Sequence, residues 1–306
     1  MNQSGSDYSA VAILGMGVTG LSVADFLTLR GIDFMFADTR SAPPGLDVVS
    51  QRYPDIRTML GEFDDRAYDM LETVVVSPGV SLGEPMLQSA RAKGIRLIGD
   101  AELFFEQVNA PVIAITGSNG KSTVTTLVGE MARRSGLNAG VGGNLGTPML
   151  DLLSAERRLY VLEMSSFQLE LFHSSKGAVS GLLNISPDHL DRYPDIDDYH
   201  AAKQRIFKDA ACAVVNRQDP LTYPQADDNL SIISFGTDAP NGDNFGLLTE
   251  NGETWLVGGG EQLMLQSQLA MQGRHNIANA LAALALGHSA GLPMAAMLAT
   301  LQEFKG

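Results

Sequence analysis

The chain has 306 residues, 44% of them hydrophobic, and a formal net charge of −14, a length that accommodates two domains with their own cores. The acidic balance excludes a surface built for nucleic-acid phosphates, which needs clustered Lys and Arg, and no run of about 18 apolar residues offers a membrane span. The single cysteine, Cys212, excludes an internal disulfide and reads as a buried strand residue of a reducing compartment.

Met1 to Ser9 is polar and has no signal-peptide pattern, so a cytoplasmic protein is expected. Ala10–Leu14 reads as a first buried strand. It runs into Gly15-Met16-Gly17-Val18-Thr19-Gly20, a full G-x-G-x-x-G, followed by a helical pattern from Leu21. A second strand, Asp33–Ala37, ends at Asp38. An acid some twenty residues after the glycines is the dinucleotide fingerprint, with the carboxylate placed for a ribose hydroxyl. NAD is therefore one reading. Thr39 and Arg40, directly after Asp38, suit a different polar or anionic head group, and a substrate nucleotide is the other. Thr73–Val76 is a further strand, ending in Ser77-Pro78-Gly79, which is either a plain turn or a ligand contact. Glu84–Lys93 is a helix and Ile95–Ile98 a strand. This rhythm predicts a parallel, doubly wound sheet with its sites at the C-terminal strand ends. The domain boundary is expected near Gly99-Asp100, giving domains 1–99 and 100–306.

Ala101–Val108 reads as a helix leading to the strand Pro111–Ile115, which enters Thr116-Gly117-Ser118-Asn119-Gly120-Lys121-Ser122-Thr123. A glycine-bearing turn between a strand and a helix N-terminus aims backbone N–H groups and the helix dipole at phosphate. Lys121 supplies the full charge, and the Ser122 or Thr123 hydroxyl is placed to ligate Mg²⁺. The strict P-loop pattern wants a glycine where Ile115 stands, so this is a shortened variant. Gly140–Pro148 is glycine-rich and is expected to be a loop near a ligand. Leu159–Leu162 is a strand ending at Glu163, where a Mg²⁺ ligand is expected. Gly181–Ile185 is a strand leading to Ser186-Pro187-Asp188-His189-Leu190-Asp191-Arg192-Tyr193, whose histidine is flanked by two aspartates. Asp197–Lys208 is a helix carrying Lys203, and Ala213–Asn216 is expected to close the parallel series. Leu247–Thr249 and Thr254–Val257, joined by Glu250-Asn251-Gly252-Glu253, predict an antiparallel hairpin in which Trp255 is packing. Gly273-Arg274-His275-Asn276 caps a long helix, Ile277–His288.

Laid out in order, these motifs resemble the Mur ligases of peptidoglycan synthesis. The matching stretches are Gly15–Gly20, Asp38-Thr39-Arg40, Ser77–Gly79, Thr116–Ser122, Gly143-Asn144-Leu145-Gly146 and Glu163-Met164-Ser165-Ser166-Phe167-Gln168. They continue through Asp188–Tyr193, Ala201-Ala202-Lys203 and His275-Asn276-Ile277-Ala278-Asn279. The N-terminal pair of motifs most resembles the branch that adds D-glutamate. The resemblance implies an α/β fold: a Rossmann-like parallel-sheet domain, then a P-loop mononucleotide-binding domain with a small antiparallel β-sheet. It implies ATP-dependent amide formation, through an acyl phosphate, between UDP-N-acetylmuramoyl-L-alanine and D-glutamate.

By the same resemblance Gly17, Val18, Thr19, Asp38, Thr39, Arg40, Ser77, Pro78 and Gly79 would hold the UDP moiety. Asn144, Ser165, Gln168 and His189 would face the muramoyl-alanine arm. Gly117, Ser118, Asn119, Gly120, Lys121, Ser122 and Thr123 would hold ATP, with Asn276 and Asn279 near the adenine. Two Mg²⁺ are implied, one at Ser122 and Glu163 and one at His189 and Lys203, the lysine as a carbamate, which turns a repelling ammonium into an oxygen ligand. Lys121, Glu163, His189 and Lys203 would be catalytic. A monomer is expected. Family members carry a third, C-terminal domain, so the chain is expected to be truncated and to turn over poorly. A ligase for another amino acid, an NAD(P)-dependent oxidoreductase and a non-catalytic nucleotide-binding module are the rival readings.

Overall fold

Val11–Leu14 (β1) is a run of four apolar residues, three of them fully buried, and the first sheet is built outward from it. The computed structural model describes residues 10–61, 65–189, 191–225 and 230–305; Met1 to Ser9, Leu190 and Gly306 lie outside them. After β1 come Val18–Leu29 (α1), Met35–Asp38 (β2), Leu46–Arg52 (α2), Thr58–Leu60 (β3) and Asp65–Met70 (α3). Thr73–Val76 (β4), Pro85–Ala92 (α4), Arg96–Ile98 (β5) and Asp100–Gln107 (α5) follow. The five strands pair in the order β3-β2-β1-β4-β5, all parallel. The chain direction across the sheet reverses between β1 and β4, and ligands of such sheets bind at that switch point.

The glycines at the end of β1 serve different ends. Gly15 has φ 103°, and a Cβ there would stand 2.8 Å from the Cβ of Ser77, so the ends of β1 and β4 touch. A Cβ on Gly20 would stand 2.0 Å from the carbonyl oxygen of Gly15. At Gly17, with φ −88°, nothing lies within 4 Å of a Cβ. The fold therefore needs the first and third glycines and leaves open space at the second. Gly20→Ala should cost about 3 kcal/mol, because backbone must move to make room, whereas Gly17→Ala should leave stability within about 0.5 kcal/mol. Urea unfolding of both variants checks this, and equal losses would contradict it.

The second unit, counted from Val108, begins with Val112–Thr116 (β6) and Lys121–Arg134 (α6). Ala139–Gly143 (β7), Leu159–Glu163 (β8), Ser166–Leu169 (α7), Val179–Leu182 (β9), Ile196–Gln204 (α8) and Cys212–Asn216 (β10) follow. Ser231–Phe235 (β11), Gly246–Glu250 (β12), Glu253–Gly258 (β13), Glu261–Leu265 (β14), Arg274–Ser289 (α9) and Met294–Glu303 (α10) complete it. Its parallel sheet has the order β11-β10-β9-β6-β8-β7, with the P-loop strand inside. Leu127, Val128 and Met131 of α6 and the run Ala280–Leu286 of α9 share one core with Ile113, Ile115 and Val214 of the strands. The small alanines bring α9 close: a Cβ on Gly181 would stand 2.9 Å from Leu286.

Two expectations are corrected. Gly140–Gly143 belongs to a strand, not a loop. Side chains would be too large here, because a Cβ on Gly140 would meet the Tyr160 ring at 2.9 Å and one on Gly142 the Thr147 carbonyl oxygen at 2.3 Å. Close packing against neighbours selects glycine despite its low strand propensity. Nor does Ala213–Asn216 close the parallel series, since β11 pairs beyond it. The hairpin forms as expected, with Asn251 and Gly252 at φ 53° and 84°, and Trp255 lies opposite Leu248 and Leu265. Cys212 is buried in β10. Among the described residues no helix is long and apolar enough to cross a membrane.

Candidate active site

The P-loop is held from below. Gly120 caps α6 in the left-handed region, at φ 82°, and a Cβ there would collide with Asn279 Oδ1 at 2.5 Å. The Asn119 amide donates to Asn184 Oδ1 (2.8 Å), and Asn184 Nδ2 returns a bond to the Asn119 carbonyl (2.9 Å). The Ser118 hydroxyl donates to the Ser186 carbonyl (3.0 Å) and accepts from the Ser186 amide (2.9 Å). The loop after β9 thus fixes the loop after β6, as happens when two adjacent parallel strands end together.

Lys121 Nζ folds back on the Gly117 and Ser118 carbonyl oxygens (2.9 and 3.0 Å). Burial lowers its affinity for a proton, against the opposing carboxylates of Glu163 and Asp188. The Ser122 hydroxyl donates to Glu163 Oε2 at 2.8 Å, and Asn144 Nδ2 donates to Glu163 Oε1 at 2.7 Å. A hydroxyl and a buried carboxylate side by side at the start of a P-loop helix are the hard oxygen donors that suit Mg²⁺. No cluster of three His, Cys, Asp or Glu that could hold a metal exists among the described residues. Mg²⁺ makes do with few protein ligands because it keeps waters and takes substrate phosphates.

Lys203, on α8, is 1% exposed. Its Nζ donates to Thr116 Oγ1 (3.2 Å) and to the same Gly117 carbonyl that Lys121 uses (2.9 Å). Burial first, then the neighbouring Lys121 charge, bring its pKa down to about 7, against Asp188 and Glu163. His189 sits at φ 52°, a strained conformation of the kind that clusters at functional sites. Its ring packs 4.9 Å from the Phe167 ring and 6.3 Å from that of Tyr199. Ser165 and Gln168 are occupied with each other: they form a capping box at α7, with Gln168 N donating to Ser165 Oγ (3.2 Å) and Ser165 N to Gln168 Oε1 (3.1 Å).

Between the P-loop and α9 lies a cavity of about 480 Å³ lined by Asn119, Gly120, Thr123, Asn276 and Asn279. Asn184, Asn216, Phe235 and His275 also line it; none of the four was expected as a site residue. Asn184 and Asn216 follow or end apolar strands of a parallel sheet, a position that marks ligand sites and could have identified them.

In the first unit the expected residues stand at three neighbouring strand ends. Gly17 caps α1, which Val18 and Thr19 open after β1; Asp38 ends β2 and Thr39 and Arg40 follow it; Ser77, Pro78 and Gly79 follow β4. Val18 is 71% exposed, unusual for a valine on a buried helix. Asp38 is spoken for: Oδ1 accepts from Arg40 N (3.0 Å) and Nε (2.8 Å), and Oδ2 from Arg40 Nη2 (2.8 Å) and Met16 N (3.2 Å). Burial alone would raise its pKa, but the Arg40 guanidinium, with the Arg40 and Met16 amides, holds it below the usual value. The four acceptor positions of a carboxylate are filled. A ribose hydroxyl, the partner of the acid in a dinucleotide site, would have to displace the arginine.

The chain matches two known families. A family described as the Mur ligase middle domain covers residues 115–287, and one described as the Mur ligase MurD-like N-terminal domain covers residues 9–99. The chain belongs to the Mur ligase family. Two Mur ligase relatives illustrate the similarity, both called UDP-N-acetylmuramoylalanine--D-glutamate ligase. The protein of Pseudomonas savastanoi pv. phaseolicola is 52% identical over 96% of this chain, and that of Pseudomonas aeruginosa is 47% identical over 100% of it. The chain spans 66% and 68% of their respective lengths. Solved Mur ligase structures share the fold. The UDP-N-acetylmuramate:L-alanyl-gamma-D-glutamyl-meso-diaminopimelate ligase of Neisseria meningitides aligns over 98% of this chain and 99% of its own, with TM-score 0.60 and 17% identity. A pseudomurein peptide ligase type C from Methanothermus fervidus aligns over 97% of this chain and 70% of its own, with TM-score 0.57 and 20% identity.

Proposed function

We propose that this chain carries the nucleotide sites of an ATP-dependent ligase that adds D-glutamate to UDP-N-acetylmuramoyl-L-alanine in peptidoglycan synthesis, in the cytoplasm. The observation that carries the ligase reading is the Ser122–Glu163 pair beside Lys121 at the P-loop. The choice of D-glutamate rests on relatives of about half identity that bear that name.

In this reading the UDP moiety lies against Gly17 to Thr19, Asp38 to Arg40 and Ser77 to Gly79, with Asp38 orienting Arg40 rather than meeting the ligand. ATP lies on Gly117 to Thr123, its adenine near Asn276 and Asn279. The alanine carboxylate attacks the γ-phosphate, ADP leaves, and the D-glutamate amine then displaces phosphate from the acyl phosphate. The reactants are all anions, so positioning and charge neutralisation dominate the catalysis. Lys121 would leave the Gly117 and Ser118 carbonyl oxygens for the transferring phosphoryl group. Ser122 and Glu163 would hold Mg²⁺, and His189 with Lys203 a second; bound there, the ion would offset phosphate charge. As an ammonium Lys203 offers only N–H donors, and burial favours the neutral amine, whose nitrogen lone pair adds to CO₂ with loss of a proton to give a carbamate. Asn144, Ser165, Gln168 and His189 would face the muramoyl-alanine arm, Ser165 and Gln168 being preset by their capping box.

Titration calorimetry with UDP-N-acetylmuramoyl-L-alanine, with ADP and Mg²⁺, and with NADH tests this. Micromolar binding of the first two with no NADH binding is expected. Binding of NADH without the UDP-sugar would sink the assignment of the first unit.

A further inference from the structure

Tyr199 is 1% exposed on α8, and its phenolic oxygen lies 3.0 Å from the Ser118 hydroxyl of the P-loop. The protons on that contact can be counted. A serine hydroxyl donates once and accepts twice. Ser118 Oγ gives its one proton to the Ser186 carbonyl and takes one from the Ser186 amide, so the remaining lone pair faces Tyr199 and the tyrosine is the donor. Three side chains pack against the ring. Lys203 Nζ lies 4.7 Å from its centroid, the Tyr193 ring packs on it edgewise at 5.4 Å, and the His189 ring lies at 6.3 Å. Tyr199 does not line the 480 Å³ cavity, and its hydroxyl meets the phosphate-binding loop at Ser118.

We propose that Tyr199 is a positioning residue for nucleotide binding: its hydroxyl, completing the hydrogen bonds of Ser118, holds the P-loop in register with the Lys203–His189 side of the site. The proposal rests on the ATP-site reading above. Ser118 lies in a loop that must present several backbone N–H groups to phosphate at once, so a small drift spoils several contacts together. The phenol reaches the loop from α8, 81 residues further along the chain, and so ties the loop to the element that carries Lys203.

The experiment is a double-mutant cycle on ADP–Mg²⁺ affinity, with Tyr199→Phe, Ser118→Ala and the pair, using UDP as the control ligand. Tyr199→Phe keeps the ring against Lys203 and removes only the hydroxyl. Tyr199→Phe should bind ADP about fivefold more weakly, the size of one lost hydrogen bond; Ser118→Ala, which also loses both Ser186 bonds, should bind at least as weakly, and the double variant no more weakly than Ser118→Ala. UDP affinity should stay constant. Unchanged ADP affinity in Tyr199→Phe, or losses that multiply in the double variant, would overturn the proposal while leaving the ATP site in place. A parallel fall in UDP affinity would also overturn it, by marking a general loss of structure. No ADP binding by the unaltered chain would overturn both this proposal and the ATP-site reading.

Discussion

Lys121→Ala is expected to weaken ADP–Mg²⁺ binding by about a hundredfold, the scale of losing a desolvated charge-assisted contact, while leaving UDP affinity unchanged. The ammonium lies against two main-chain carbonyl oxygens of its own loop, and burial makes its charge costly. Phosphate offers full negative charge in place of carbonyl dipoles, so transfer of the lysine to a ligand is favourable and the resting contacts keep it poised. Removing the side chain should cost little stability, because the loop is also held by Asn184 and Ser186. Melting temperature should therefore shift by only a few degrees. Titration of the variant with ADP and with UDP decides the matter. Retained ADP affinity would mean that the backbone cradle binds phosphate without Lys121. Arginine is not an adequate replacement, since its planar fork cannot fill the place of a compact ammonium.

Lys203→Met should stabilise the nucleotide-free chain near neutral pH in CO₂-free buffer, by about 2 kcal/mol after the lost bonds to Thr116 and Gly117 are allowed for. The sign follows from the direction of the shift. The unfolded chain keeps this lysine protonated to about pH 10.4, whereas in the folded chain its pKa is lowered to about 7. From about pH 7 up to 10.4 the unfolded state binds more protons, so stability rises with pH across that window. Below about 7 both states are protonated and the burial penalty is complete. The advantage of Lys203→Met should accordingly be largest at and below neutrality and vanish, or reverse, towards pH 10. Urea unfolding of both proteins across this range measures it, and a pH-independent difference would refute the account. The same substitution should abolish any carbamate resonance seen with ¹³C-bicarbonate. A signal that persists in the variant would place the modification on another amine.

The sites were legible wherever chemistry is local in the chain. The glycines of Gly15–Gly20 and Gly117–Gly120, the acid ending β8 and the acid ending β2 each announce themselves by type and spacing next to an apolar strand. The Asp38–Arg40 pair needed only two residues of separation, although its consequence, a carboxylate with no room for a ribose hydroxyl, also depends on the Met16 amide from another strand end. The glycines of β7 misled in the opposite direction. Their reason is not a flexible loop but the Tyr160 ring and the Thr147 carbonyl, neither visible from local composition.

By itself the sequence determined the β/α alternation of both units, the two glycine-bearing strand-to-helix turns and the identity of the charged groups beside them, because backbone sterics and hydrophobic patterning act over a few residues. Only the tertiary structure decided that two lysines share the Gly117 carbonyl and that Asn184 and Ser186 lock the P-loop. It likewise decided that the Tyr199 hydroxyl lies beside that of Ser118 and that Asn184, Asn216, Phe235 and His275 line the cavity. Those contacts join residues tens of positions apart, and they exist because parallel strands bring their C-terminal ends together whatever their separation in the chain.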